Sequence, residues 1–229
     1  MKYEPELENR GGRCTAARLG AWCAALAAIL SLLFAVLALA FPASPWAGIE
    51  VYAETFATRQ MLSMVPALAL APVTVLAFAG LHSLVTPEKR FWSLSAFGFA
   101  VVYTTIVAAN YLIQLHAVRL GLLYRQLDGL TLLAIPNLRS VFFSLEAIGY
   151  GFLGLSTLVA APVFSAGNIE TWIRRLFVLN GASSLFGVVV APFDFPMIIF
   201  AGLALWVIIY PMAMVLLALW FRRQLEAEP

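Results

Sequence analysis

The chain has 229 residues, of which 62% are hydrophobic and 11% charged, with a net charge of +2. Soluble domains carry about a quarter charged residues, so this composition excludes an ordinary soluble domain. The small net charge, with no long run of Lys or Arg, excludes a nucleic-acid-binding surface. Cys14 and Cys23 have no CxxC partner and no disulfide framework, and both read as plain thiols.

Six runs with little or no charge predict membrane-spanning helices at about 19–41, 61–85, 91–118, 140–164, 172–191 and 196–221. The flanks, 1–18 and 222–229, are short charged tails. The first run follows Arg10, Arg13 and Arg18 and ends near Ala38-Leu39-Ala40, much as a signal peptide would. Its 23 uncharged residues exceed a signal core of about 7–15 and meet the roughly 20 that cross a bilayer. It is expected to be an uncleaved first span. Residues 41–60 begin Pro-rich and then place Glu50, Glu54 and Arg59 at near-helical spacing. The second span carries Pro66 and Pro72 as expected kinks. Beyond the third span, Leu120, Leu123, Leu127 and Leu130 share one helical face, with Arg125 and Asp128 off it. This pattern predicts a helix that extends the third span or lies in the interface. Pro136 suits the first turn of the next helix. Small residues crowd the fourth span (Gly149, Gly151, Gly154, Ser156) and the fifth (Gly181, Ala182, Ser183, Ser184, Gly187), which predicts their close packing. Asn180 is expected mid-membrane, bonded to a neighbouring helix, and Pro211 is expected to break the sixth span. A β-barrel is excluded, because barrel strands alternate apolar and polar over about 10 residues. The fold class is therefore all-α: a polytopic membrane protein built as a six-transmembrane-helix bundle.

Lys and Arg set the expected orientation. Ten of the fourteen, from the N-terminal tail, the second-to-third and fourth-to-fifth connections and the C-terminus, fall on one side. Arg59, Arg119, Arg125 and Arg139 fall on the other. The positive-inside rule then puts both termini in the cytoplasm, with the chain in the cell membrane. Trp46, Trp92, Trp172 and Trp220 fall near span ends, as an aromatic belt requires.

Glu146 is the one acid set firmly inside an apolar span. Ionisable groups inside membrane helices are costly and are functional candidates by default. On the third span Asn110 and Gln114 share a face. On the fourth, Arg139, Glu146 and Tyr150 share another. The helices run in opposite directions, so these groups can meet in the outer half of the bundle. One reading is a polar pocket open to the outer side, with Glu146 as its acid or as counter-charge to a cation. The competing reading pairs Glu146 with Arg139, Asn110 or Gln114 as a tie between helices, worth about 0.6 kcal/mol on average. Asp194 sits in a short outer turn, either facing the same pocket or solvated. His82 and His116 lie at opposite membrane faces and cannot share a metal, so no metal site is expected. No lysine lies inside a span to form a retinal Schiff base. Walker A, HExxH and triad-bearing GxSxG motifs are missing, and no cofactor is expected.

The segments NYLIQLHAVR (110–119), EAIGYGFLGLS (146–156), LVAAPVF (158–164) and WIRRLFVLNG (172–181) together resemble a family of uncharacterised multi-pass membrane proteins of bacteria and archaea. The resemblance covers roughly residues 60–221. It implies a helical multi-pass protein and carries no activity, substrate or cofactor. Three functions stay open. The first is binding of an apolar or amphiphilic small molecule, or of a membrane partner, in the outer pocket. The second is an intramembrane enzyme on a lipid or isoprenoid, with Glu146 as acid or base. The third is a small proton-coupled transporter.

Overall fold

The computed structural model describes residues 4–193 and 196–226. Those residues form helices and connections, with no strand among them. Six helical segments are long and apolar enough to cross a membrane. Their surface is inverted relative to a soluble protein. Trp22, Leu39, Val189 and Met197 are exposed, whereas Tyr103, Tyr210, Thr74 and Asn180 are fully buried. Hydrocarbon solvates the first set at no cost, and the second must find partners inside.

Helix α1 spans Glu4–Ala40, beginning well before the expected first span. A short α2 (Ile49–Thr55) and a 3₁₀ turn (Thr58–Met61) follow, then α3 (Met64–Leu84). Pro66 lies in the first turn of α3, where its missing N–H costs nothing. Pro72 lies inside that helix. Helix α4 (Arg90–Ile113) runs through one π-helical turn (Gln114–Val118) into α5 (Arg119–Leu123).

The expected helix through Leu127 does not form. The chain turns sharply after α5, with Arg125 at φ 57° and Gly129 at φ 76°, before a single turn α6 (Leu130–Leu133). The stripe breaks at Tyr124 and Arg125, where α5 ends, and Gly129 then adopts the left-handed conformation without a Cβ penalty. Leu130 is buried but Leu123 is exposed, so the four leucines do not form one buried face. Pro136 also falls in a turn rather than in the next helix. Helix α7 (Val141–Ala160) begins at Ser140, whose hydroxyl accepts from the Phe143 N–H at 3.0 Å as an N-cap. Helices α8 (Asn168–Val190) and α9 (Pro196–Glu226) complete the set. Helix α9 passes through Pro211 without ending, where a break was expected. Membrane helices tolerate proline where neighbours re-satisfy the freed backbone.

The long helices pack in chain order, α1 against α3, α3 against α4, α4 against α7, α7 against α8, α8 against α9, and α9 back against α1. This closes a ring. The start of α1 and the end of α9 lie at one end of it, where Arg18 and Arg222 flank the same groove. The opposite end carries the 41–63 and 124–140 connections and is called here the connection face.

Hydrogen bonds join the walls of the ring. Thr104 Oγ1 donates to the Ala71 carbonyl at 2.7 Å, and Ser156 Oγ to the Ala96 carbonyl at 2.8 Å. Asn180 Nδ2 donates to Thr157 Oγ1 at 2.9 Å, as expected of an amide held in hydrocarbon. At the terminal end His82 Nδ1 lies 2.8 Å from Ser93 Oγ, and the Lys89 ammonium donates to the Val163 carbonyl at 2.6 Å. Helices α7 and α8 meet at glycine. A Cβ built on Gly181 would stand 2.5 Å from Leu158 Cβ and 2.7 Å from the Gly154 carbonyl oxygen. Trp92 and Trp172 are exposed near span ends, but Trp220 is buried against Phe164 and leaves the expected belt.

Candidate functional site

The ring has two aromatic layers inside it. Nearer the terminal end, Phe78, Phe164, Phe177 and Trp220 pack together. Nearer the middle, Trp206 of α9 touches Phe34 of α1 and Tyr150 of α7, and stacks on Tyr210. Tyr103 of α4 meets Tyr150 edge-on, and Tyr210 Oη lies 2.8 Å from Thr74 Oγ1 of α3. Side chains from α1, α3, α4, α7 and α9 thus meet in one layer across the bundle.

Glu146 sits one turn from Tyr150, toward the connection face. Tyr111 Oη donates to Glu146 Oε1 at 2.6 Å and lies 3.1 Å from Tyr150 Oη. The acid and Tyr150 are therefore joined through Tyr111, which sequence reasoning had passed over. A phenol-to-carboxylate bond of this length is charge-assisted when the acid is ionised.

Asn110 and Gln114 do other work. Asn110 Nδ2 donates to the Phe142 carbonyl at 3.0 Å, one turn above Glu146 on α7. Gln114, at the start of the π-helical turn, donates to the Leu133 carbonyl at 2.7 Å and accepts from the Ile135 N–H at 3.3 Å. It clamps the connection ahead of α7. Both amides are buried, and neither lines a cavity described below. Arg139 stands in the turn before α7, where its N–H donates to Asn137 Oδ1 at 3.1 Å. Asp194 lies outside the described residues. His116 is exposed beside Gln114, away from His82.

Two cavities meet at Glu146. A vestibule of about 750 Å³ opens at the connection face, with Ser44, Gln60, Asn137, Arg139 and Tyr111 on its wall. An inner pocket of about 160 Å³ lies between α1, α7, α8 and α9. Phe34, Phe143, Glu146 and Leu203 belong to both walls. The inner wall is otherwise apolar or aromatic, apart from Ser183 and Ser184. No family model matches the chain, and no curated protein or solved structure does. The chemistry must therefore be read from the site itself. A partly exposed acid with a phenol partner stands where the larger vestibule, with several polar side chains on a mostly apolar wall, meets a smaller apolar pocket. Such a place can hold a molecule that is polar at one end and apolar at the other.

Gly187 and Gly202 show how the inner pocket is kept open. Both line it, and a Cβ built on either meets no atom within 4 Å. Part of the small-residue stripe on α8 therefore makes space, while Gly181 makes contact. Trp206 is the other residue that sequence reasoning missed. Its indole N–H is buried without a hydrogen-bond partner among the described residues. Its place in mid-helix, away from any span end, was the one available signal.

Proposed function

We propose that this multi-pass protein binds an amphiphilic small molecule at Glu146, with the polar part in the vestibule and the apolar part in the inner pocket. The supporting observation is that Glu146 belongs to the walls of both cavities. The vestibule volume falls within the roughly 300–1,000 Å³ of small-molecule sites. The inner pocket is close to the roughly 150 Å³ that takes a benzene-sized apolar guest. Of the three acids that an acid–base reaction could enlist beside Glu146, Glu50 and Glu54 are exposed on α2 and line neither cavity, and Asp194 lies outside the described residues. Binding therefore has more support than catalysis. The Lys and Arg distribution supports both termini in the cytoplasm, with the vestibule open to the outside of the cell membrane. The likeness to uncharacterised multi-pass proteins agrees with the architecture and adds no ligand.

Organic extraction of the purified protein, followed by mass spectrometry, tests the reading. An amphiphile is expected at near-stoichiometric amount from the wild type and depleted from Glu146→Gln. Equal recovery from both would overturn the assignment to Glu146.

A further inference from the structure

The inner pocket has a narrower chemistry than its apolar character suggests. Four aromatic side chains, Phe34, Phe143, Tyr150 and Trp206, line its 160 Å³ together with Glu146. Three of them form a corner. Trp206 stands at 82° to Phe34 with centroids 6.0 Å apart, and at 80° to Tyr150 with centroids 5.1 Å apart. Tyr210 backs Trp206 at 15° and fixes its plane. Among the described residues the inner wall carries no Lys, Arg or His, and Arg139 lines only the vestibule.

Aromatic rings that line a pocket can offer electron-rich faces to an organic cation. A carboxylate beside them supplies the counter-charge that an apolar setting otherwise withholds. When Glu146 is ionised it favours a cation over a neutral guest and repels an anion. We infer that the inner pocket selects an alkylated ammonium group, apolar at its surface and positively charged, with Phe34, Tyr150 and Trp206 as the box and Glu146 as the counter-ion. The inference rests on the amphiphile-binding reading above and narrows the part seated in the inner pocket to a group whose surface is alkyl although it carries a charge. The ammonium could be a lipid head group or part of a free small molecule; the chemistry at the pocket is shared.

The test uses the full chain in dodecyl maltoside, which has no ammonium group. Phenyltrimethylammonium, its neutral isostere tert-butylbenzene and the anion benzenesulfonate are titrated calorimetrically against protein and empty micelles. The cation is expected to bind at least tenfold more tightly than the isostere, and the anion not to bind. Glu146→Gln is expected to bind both isosteres equally. Reconstitution in phosphatidylglycerol nanodiscs with and without phosphatidylcholine then separates the sources. Competition by phosphatidylcholine assigns a lipid head group, and its lack assigns a free cation. Equal binding of the two isosteres by the wild type overturns the cation and leaves the amphiphile reading standing. A cation preference that survives Glu146→Gln also overturns the inference. Binding of none of the probes overturns it too, and the extraction experiment then decides the amphiphile reading separately. If Glu146→Gln does not fold, Gly187→Leu decides, because its side chain enters the open space of the pocket. Loss of the cation supports the assignment, and retained binding overturns it.

Discussion

Tyr111 and Glu146 are 35 residues apart in the chain, yet they make the shortest polar contact of the candidate site. The phenol tolerates hydrocarbon because its O–H is satisfied, and the carboxylate tolerates it because it accepts that O–H. Removing the donor should therefore cost more than removing the charge. Tyr111→Phe leaves the acid without its bond, and hydrogen bonds to charged groups contribute about 1.5–3 kcal/mol. Glu146→Gln keeps an acceptor oxygen facing Tyr111 and removes only the charge. Thermal unfolding in detergent should show Tyr111→Phe clearly destabilised and Glu146→Gln close to the wild type. A collapse of Glu146→Gln to the same degree would mean that the acid is chiefly a tie between α4 and α7.

Helices α7 and α8 show how the same residue type serves opposite ends. At Gly181 a methyl group would strike Leu158 and the Gly154 backbone, whereas at Gly187 it would meet nothing. Gly181→Ala should destabilise by about 1–3 kcal/mol through overpacking. Gly187→Ala should leave the melting temperature unchanged or slightly raised, since alanine favours the helix. Matched losses at both positions would contradict this division of the stripe. The helices themselves were legible in the sequence, because a span needs about 20 apolar residues and few other patterns supply them. The connections were less so. The Leu120 to Leu130 periodicity was genuine, but Gly129 and Arg125 bend the backbone, and periodicity carries no information about φ. Within the site Glu146 and Tyr150 were legible from their cost and spacing. Tyr111 was not, since a tyrosine in an apolar run looks like any other bulky core residue until the facing helix is known. Asn110 beside it drew attention as the more polar group. It binds the Phe142 backbone instead, because neighbours on a helix point roughly 100° apart.

At the scale of the whole molecule, the closed ring fixes a polarity that the bilayer must match. The start of α1 and the end of α9 share one face, and the vestibule opens on the other. One topological measurement therefore decides from which side of the membrane the proposed ligand would enter. Nine of the thirteen Lys and Arg residues among the described residues belong to the face with the start of α1, and retention of positive charge in the cytoplasm predicts that this face is inside. Cys14 lies in the part of α1 that precedes the first predicted span, and Cys23 lies inside that span, both as free thiols. In a Cys23→Ser background, a membrane-impermeant maleimide should label Cys14 only after intact cells are permeabilised. A cysteine placed at the exposed Ala47, with Cys14 also replaced by serine, should label without permeabilisation. The reverse pattern would put the vestibule in the cytoplasm. The ligand proposed for Glu146 would then have to be a cytoplasmic molecule or an inner-leaflet lipid.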